Sequence, residues 1–280
     1  MLVKFYGTRG SVPVCSPDFQ EFGGNTTCLC IKDKETNSIA VIDAGTGIRE
    51  LGKDLVESKH KQDEIFIAFT HFHWDHIQGF PFFAPAFNKK QKINILALGW
   101  GKHITCLKDI FKTQMQKEFF PIQLEKMGAR FKFMLLDETK KVFKTKTKKP
   151  KPVIVKTNKH MHPGGAYGYR IELGGKALVF CTDVEHGNSI DKNVVKLAEG
   201  ADLLIHDAQF TDEELKNKRG WGHSSYSQAI EVAEKAKVKM LALTHHDPDH
   251  DDAFLRKMEK KCQQRFKDSF LAREKMEIEL

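Results

Sequence analysis

The stretch Thr70-His71-Phe72-His73-Trp74-Asp75-His76 places three histidines and one aspartate within six residues. It follows the apolar run Ile65–Phe69, which has the length and composition of a buried strand. Because side chains alternate along a strand, His71 and His73 are expected to share a face where the strand passes into a loop. The side chains of Asp75 and His76, which follow in the loop, would then lie close to those of His71 and His73. This density of imidazole and carboxylate groups predicts a site for divalent metal ions and favours two ions over one.

An ordinary helix start is the alternative interpretation of this stretch. Asp75 would then cap the helix, and the histidines would be exposed to solvent. A single pair of histidines is common on protein surfaces, but the complete H-x-H-x-D-H pattern is specific enough to favour the metal site.

Composition is compatible with a globular protein that has a large core. The 280 residues are 40% hydrophobic and 29% charged. The 45 basic and 37 acidic residues give a net charge of +8, which permits an anionic partner or substrate without requiring one. The six cysteines lack C-x-x-C spacing, so reduced thiols in a cytoplasmic protein are expected. The chain starts in a strand pattern rather than a signal peptide, and no apolar run reaches the ~20 residues that cross a bilayer.

Patterns of strands and helices alternate along the chain without a short repeat or a linker, so the sequence predicts one α/β domain covering residues 1–280. Residues from about 249 to the C terminus are predicted to be mostly helical. The predicted strands are Leu2–Tyr6, Cys28–Lys32, Ile39–Ile42, Ile65–Phe69, Ile93–Leu98, Phe131–Leu136, Val153–Thr157, Tyr167–Leu173, Ala177–Cys181, Ala201–Ile205 and Met240–Leu243. The predicted helices are Ile48–Ser58, Ile104–Met115, Asp191–Gly200, a short one capped by Thr211 with Glu214 at its third position, and Tyr226–Lys235.

One segment departs from the average composition. Seven of the twelve residues from Lys140 to Lys151 are lysine, and none is acidic. A nucleic-acid-binding arm is one interpretation, and a solvated hairpin tip is the other. We favour the hairpin tip, because lysine without arginine gives little specific recognition of nucleic acid.

Further ligand candidates follow the ends of later strands, and residues at strand ends on one edge of a sheet can converge. Asp43 follows an earlier strand and is expected to orient a ligand. The later candidates are His160 or His162, Asp183, His206 with Asp207, and His245 with His246 beside it.

The order H-x-H-x-D-H, His, Asp, His along a β-rich chain resembles the metallo-β-lactamase superfamily. The resemblance extends from Asp43 to His245 and implies an αββα four-layer sandwich with a two-metal site on one edge. The expected ions are two Zn²⁺, Mn²⁺ or Fe²⁺ ions. The resemblance implies that His71, His73 and His162 hold one ion, that Asp75, His76 and His245 hold the other, and that Asp183 bridges them. His160 remains the alternative to His162, and His246 the alternative to His245.

The C-terminal half is similar to the ribonuclease Z branch of phosphodiesterases. The residues that show this similarity are Leu204-Ile205-His206-Asp207-Ala208-Gln209 and Gly222-His223-Ser224. Asp207 replaces the glutamate that orients a histidine in that branch, and Ser225 replaces a threonine. The resemblance implies that His223, oriented by Asp207, is the general acid and that Asp75 accepts a proton from the attacking water.

These features together predict a metal-dependent phosphodiesterase in which metal-bound hydroxide attacks a phosphodiester. A cyclic nucleotide or another small phosphodiester is the first expectation, because the chain lacks the long arm with which ribonuclease Z grips tRNA. A ribonuclease Z-like RNA-processing nuclease is the alternative, favoured by the positive charge. A lactonase, thioesterase or β-lactamase-type hydrolase is less favoured, because those reactions do not need His223. Nucleic acid is thus an alternative partner, no membrane is expected, and a homodimer would be in keeping with the relatives.

Overall fold

The computed structural model describes residues 1–35, 38–58, 64–144 and 151–280. Its strands are β1 (Leu2–Gly7), β2 (Cys28–Lys32), β3 (Ile39–Ile42), β4 (Glu64–Ala68), β5 (Lys92–Leu98), β6 (Arg130–Leu136), β7 (Lys140–Lys144), β8 (Pro152–His160), β9 (Ala166–Leu173), β10 (Lys176–Cys181), β11 (Leu203–Asp207), β12 (Met240–Thr244), β13 (Ser269–Leu271) and β14 (Glu277–Glu279). Its α-helices are α1 (Ile48–Glu57), α2 (Trp74–Ile77), α3 (Leu107–Gln114), α4 (Lys192–Ala198), α5 (Asp212–Asn217), α6 (Tyr226–Ala236) and α7 (Asp252–Arg265).

The strands form two seven-stranded mixed sheets. The first has the order β14-β1-β2-β3-β4-β5-β6, and the second has the order β13-β12-β11-β10-β9-β8-β7. In the first sheet β3 to β6 run parallel, and in the second β10 to β13 do so. The carboxyl ends of neighbouring parallel strands lie on the same edge of a sheet, so the loops that follow them gather there.

The sheets pack face to face, and helices cover their outer faces. Alternation along β10 shows the arrangement: Leu178 and Phe180 belong to the core between the sheets, whereas Val179 and Cys181 pack with α4, α6 and α7. Ile48 of α1 and Phe111 of α3 join the core of the first sheet. Apolar side chains on both faces of a central strand require cover on both sides. The predicted αββα sandwich is therefore confirmed.

The C-terminal prediction is correct for α7 and wrong beyond it. After α7 the chain forms two short strands, β13 beside β12 and β14 beside β1. In the second pair Leu2 lies opposite Glu279 and Lys4 opposite Glu277. Strands of three residues carry too little periodicity to be recognised, and here pairing with distant strands decides the structure.

Other element bounds agree closely with the sequence prediction, apart from a few strand and helix ends. β8 continues through His160, and β11 continues through Asp207, so these candidates lie at strand ends rather than in the following loops. The predicted capping box of α5 is present, with Thr211 and Glu214 satisfying each other's backbone N–H groups. All six cysteines are free thiols. None of the helices in the described ranges is both long and apolar enough to cross a membrane.

The lysine-rich segment lies partly outside the described residues, which omit 145–150. Lys140–Lys144 forms β7 and pairs antiparallel with the start of β8. At the other end Lys151 Nζ donates a hydrogen bond to Glu35 Oε1 at 2.7 Å. The solvated hairpin tip therefore stays the favoured prediction, with a nucleic-acid-binding arm as the alternative.

A buried arginine ties the loop after β1 to the loop after β12. Arg9 is fully buried, and its guanidinium donates from Nε to the carbonyl oxygen of Gly23 at 2.8 Å. Nη1 donates to the carbonyl oxygens of Asp247 at 2.9 Å and His250 at 2.7 Å. These carbonyl groups lack access to water, so Arg9 supplies donors that solvent cannot.

We predict that Arg9→Met lowers the free energy of unfolding by ~3 kcal/mol or more, because three buried carbonyl groups lose their donor. Arg49→Met on the exposed face of α1 is the matched control and should change it by less than ~0.5 kcal/mol. Urea denaturation of both variants measures the difference. Equal stability of the two variants would show that Arg9 does not hold these loops.

Candidate metal centre

The candidate site lies where strands of both sheets end. His71 follows β4 of the first sheet, whereas Asp183 and His245 follow β10 and β12 of the second. In the described part of the chain six non-glycine residues have positive φ, and two of these are Asp183 (58°) and His245 (63°). Such backbone conformations are unfavourable for side-chain-bearing residues and are common at functional sites, where the surroundings hold them.

One cluster consists of His71, His73 and His162, whose ligand nitrogens all lie within 4.8 Å of one another. His162 Nε2 is 3.0 Å from His73 Nδ1, and the rings of His71 and His73 are 4.4 Å apart between centroids. His71 and His162 are buried, whereas His73 is exposed. This cluster joins both sheets and opens towards solvent at His73.

A second cluster consists of Asp75, His76, Asp183 and His245, all of them buried, with ligand atoms again within 4.8 Å. Asp75 Oδ2 lies 3.2 Å from His245 Nε2 and 3.3 Å from His76 Nε2. The backbone N–H of Ser11 donates to the same oxygen at 2.9 Å. The short helix α2 does begin at Trp74, but Asp75 faces this cluster instead of capping the helix.

The Asp183 carboxylate faces both clusters. Its Oδ1 lies 3.7 Å from His71 Nε2 and 3.9 Å from His162 Nε2, both in the first cluster. On the other side Oδ1 is 3.4 Å from His245 Nε2, and Oδ2 is 3.1 Å from His76 Nε2. One carboxylate between two groups of imidazoles is the arrangement that a bridging ligand requires.

The residues present fit divalent cations. Among the described residues His71 Nε2, His76 Nε2 and Asp183 Oδ2 are buried side-chain atoms that make no hydrogen bond of good geometry, although the last two lie 3.1 Å apart. Leaving such atoms unsatisfied is costly, and all three point into the clusters. Imidazole nitrogens with carboxylate oxygens form the ligand set that Zn²⁺, Mn²⁺ and Fe²⁺ accept.

Hydrogen bonds at the far side of the imidazoles fix their orientation. His76 Nδ1 donates to Asp43 Oδ2 at 2.8 Å, and Asp43 also accepts from the N–H and the hydroxyl of Thr70 at 2.8 Å each. His245 Nδ1 donates to Gln209 Oε1 at 3.1 Å. With Nδ1 occupied in this way, each ring presents Nε2 to the cluster. Asp43 thus has the orienting position expected for it.

Electrostatics favour positive charge in the second cluster. Burial alone would lower the pKa of His76, but the carboxylates of Asp183 and Asp75 raise it well above its ordinary value. Burial similarly opposes protonation of His245, and Asp183 and Asp75 raise its pKa to about 9. In the first cluster burial and the charge of His76 lower the pKa of His71 well below its ordinary value. The carboxylates of the second cluster therefore attract cations.

His223 stands beside both clusters and is held by Asp207. His223 Nδ1 donates to Asp207 Oδ2 at 2.8 Å, and its ring lies 4.9 Å from that of His245 and 5.3 Å from that of His162. Asp207 also accepts hydrogen bonds from the backbone N–H groups of Asp183, Ser224 and Gln209 at 3.0, 3.0 and 3.2 Å. The predicted catalytic and metal-binding residues therefore gather at one place.

Three neighbouring histidines lie outside the clusters. His160 Nε2 contacts the carbonyl oxygen of Thr182 at 3.1 Å, and His246 Nε2 contacts that of Ala272 at 2.9 Å. His206 Nδ1 donates to the carbonyl oxygen of Asp207 at 2.7 Å. The structure therefore brings His162 and His245, the residues that the resemblance implies, into the clusters and leaves His160 and His246 outside them.

Several residues that contact the site were not among the sequence candidates. Gln209 orients His245, Ser11 donates to Asp75, and the carbonyl oxygen of Gly222 accepts from His162 Nδ1 at 2.9 Å. Gln209 lies two residues after Asp207 in the sequence, and this spacing could have indicated that it lies near the site. The contacts of Ser11 and Gly222 are made by backbone atoms, so their side-chain identity gave no signal.

The sequence of this chain matches a known protein family. The family model described as "Beta-lactamase superfamily domain" matches residues 40–246. A protein named ribonuclease Z from Enterococcus faecalis is 27% identical over 293 aligned positions, which cover 88% of this chain and 86% of that protein.

Solved structures share the fold at lower identity. Human tRNase Z, short form, has a TM-score of 0.67 at 21% identity and covers 100% of this chain and 99% of its own. A metallo-β-lactamase fold protein from Bacillus subtilis has a TM-score of 0.69 at 18% identity, with 99% of each chain covered. With the family match over most of its length, the chain belongs to the metallo-β-lactamase superfamily and is a metal-dependent hydrolase similar to ribonuclease Z.

Proposed function

We propose that this hydrolase is a two-metal phosphodiesterase that cleaves RNA. The observation that supports this proposal most directly is the position of the His223 imidazole, which Asp207 fixes beside the two ligand clusters. Hydrolysis of a phosphodiester releases an alkoxide, which is a poor leaving group and needs a proton. A histidine held next to the ligand clusters meets that need, whereas opening of a lactone or thioester would not require it.

RNA is favoured over a cyclic nucleotide by the comparisons. The sequence alone favours a small cyclic phosphodiester, but relatives of this chain carry the name ribonuclease Z. Their name supports the alternative, an RNA-processing nuclease. The net charge of +8 agrees with a polyanionic substrate, because basic residues bind phosphates and release their counterions.

In the proposed site His71, His73 and His162 would hold one ion, Asp75, His76 and His245 would hold the other, and Asp183 would be shared between them. When bound, such cations supply Lewis acidity that activates water near neutral pH and offsets charge on the phosphate. Asp75 uses Oδ2 for its contacts with His76 and His245, so we assign to Oδ1 the acceptance of a proton from the attacking water.

His223 is oriented for proton donation. Its Nδ1–H is engaged by Asp207, so Nε2 is the atom that carries the transferable proton. Burial opposes ionisation of Asp207, but the adjacent His223 and its hydrogen bond hold the pKa of this carboxyl below its ordinary value. The Asp207 carboxylate holds the ring in place through Nδ1 during the transfer. His223 then delivers the proton to the leaving oxygen.

A loop of five residues, Lys218 to Gly222, supports His162 and His223. Glu185 Oε1 accepts from the N–H of Gly220 at 2.9 Å, and Oε2 accepts from the N–H of Gly222 at 2.8 Å. The carbonyl oxygen of Gly222 accepts from His162 Nδ1, and His223 is the next residue. We call these residues the 218–222 loop, and Glu185 is its anchor.

The substrate class is tested with metal-loaded protein. The panel contains a precursor tRNA with a 3′ trailer, 3′,5′-cyclic AMP, cyclic GMP and a 2′,3′-cyclic nucleotide. We expect trailer cleavage with kcat/KM falling steeply between about 50 and 200 mM salt, because bound counterions are released when lysine and arginine contact phosphates. Turnover of the cyclic nucleotides alone would contradict an RNA substrate. Inactivity on the whole panel would contradict the phosphodiesterase.

The general acid is tested by the dependence on the leaving group. His223→Ala should lower kcat for RNA by about 10²–10⁴-fold, because the departing alkoxide is no longer protonated. The loss should be much smaller for bis(4-nitrophenyl) phosphate, whose leaving group departs without a proton. Metal analysis of the variant is the control for an intact site. Equal losses on the two substrates would assign His223 another role.

The 218–222 loop is tested with two glycine variants. Gly222 and Gly220 have φ of +91° and +86°, so an alanine at either position carries similar backbone strain. A Cβ atom on Gly222 would lie 2.1 Å from His162 Nδ1, whereas one on Gly220 meets nothing within 4 Å. We expect Gly222→Ala to bind less metal after dialysis and to lose turnover. Gly220→Ala should keep its metal. If it loses as much metal as Gly222→Ala, the loss in both variants is due to backbone strain alone.

A further inference from the structure

Large apolar side chains are exposed next to the site. Trp74, Met161 and Trp221 are 62%, 50% and 60% exposed. Trp74 follows His73, Met161 precedes His162, and Trp221 lies two residues before His223. An apolar side chain exposed alone is ordinary on a protein surface, but each of these three lies within two residues of a site histidine, and we call them the rim residues.

Trp221 differs from an ordinary exposed tryptophan because its backbone is fixed. Its N–H donates to the carbonyl oxygen of Lys218 at 3.2 Å, and Glu185 binds the N–H groups of Gly220 and Gly222 on either side. Gly222 in turn bonds to His162. The indole is thus exposed on a short segment whose backbone is tied directly to His162, a proposed metal ligand.

One cationic side chain lies against this indole, and Arg219 is its neighbour in the sequence. Lys218 Nζ lies 5.3 Å from the Trp221 ring centroid and 4.7 Å from that of Phe210, and it is also 3.6 Å from Asp247 Oδ2. Arg219 bonds to Asn188 Oδ1 at 3.2 Å. An exposed aromatic face with a lysine beside it is a combination that single-stranded nucleic acid binds, with a base on the ring and a phosphate near the cation.

We propose that Trp221 is a stacking platform for a nucleobase of the nucleotide next to the scissile phosphate. This inference rests on the proposed function and identifies the feature of the substrate that the rim recognises. Stacking on an indole tolerates any base, so Trp221 positions the strand without reading its sequence. His223 follows two residues later, so the same loop positions both the base and the general acid.

The test combines a change in the protein with a change in the substrate. Metal-loaded wild-type protein and Trp221→Ala cleave a precursor tRNA with all its bases and two versions with one abasic nucleotide, placed on the 5′ or the 3′ side of the scissile phosphate. We expect Trp221→Ala to lower kcat/KM on the intact RNA by about 5- to 150-fold. On one of the abasic RNAs the two proteins should be nearly equal, because the contact is already missing. Trp221→Phe keeps an aromatic face and should retain most of the activity.

Each other outcome has a defined meaning. If Trp221→Ala lowers kcat/KM by the same factor on both abasic RNAs as on the intact RNA, Trp221 does not stack on either base. That result would overturn the stacking contact but not the nuclease activity. A Trp221→Ala protein that changes its mass in solution and loses activity equally on all three RNAs would make Trp221 part of a protein interface, which also overturns it. No cleavage by the wild-type protein would refute the proposed function, and this inference with it.

Discussion

The site depends on a single buried carboxylate. Asp183 is almost inaccessible to water and lies within 4 Å of imidazole nitrogens from His71, His76, His162 and His245. An unpaired carboxylate in such a place would be strongly destabilising, so its position requires these partners. Burial opposes ionisation of Asp183, but the surrounding histidines hold its pKa well below the ordinary value. The backbone N–H of Asp183 is bonded to Asp207, which places the carboxylate and the orienting group of His223 in one rigid unit.

This arrangement exists only when the two sheets are packed together. The first sheet contributes the H-x-H-x-D-H stretch, and the second contributes His162, Asp183 and His245. The apolar core between the sheets therefore sets the distances between candidate metal ligands that are far apart in sequence. Metal binding and folding are expected to be coupled in such a protein, because the unfolded chain does not assemble the ligands.

The sequence predicted the parts of the structure that have a local signal. Buried strands such as β4 and β12 were recognisable from apolar runs, and the H-x-H-x-D-H stretch from its spacing. The pairing of β14 with β1 was not predictable from three residues near the C terminus, because its cause lies at the other end of the chain. The same limit applies to Glu185, a buried carboxylate whose partners are backbone N–H groups more than thirty residues away. A contact with a backbone atom leaves no trace in the partner's side chain.

Two clusters of ligands can support several hydrolytic reactions, so the substrate must be selected by the groups around them. In this structure the candidate metal ligands follow the ends of strands, whereas the 218–222 loop would contact the substrate in the proposed function. Glu185 fixes that loop through backbone N–H groups, which every residue except proline possesses. The side chains at positions 218, 219 and 221 can therefore change without moving His162 or His223. Such a division allows substrate preference to alter at the rim while the catalytic geometry is kept.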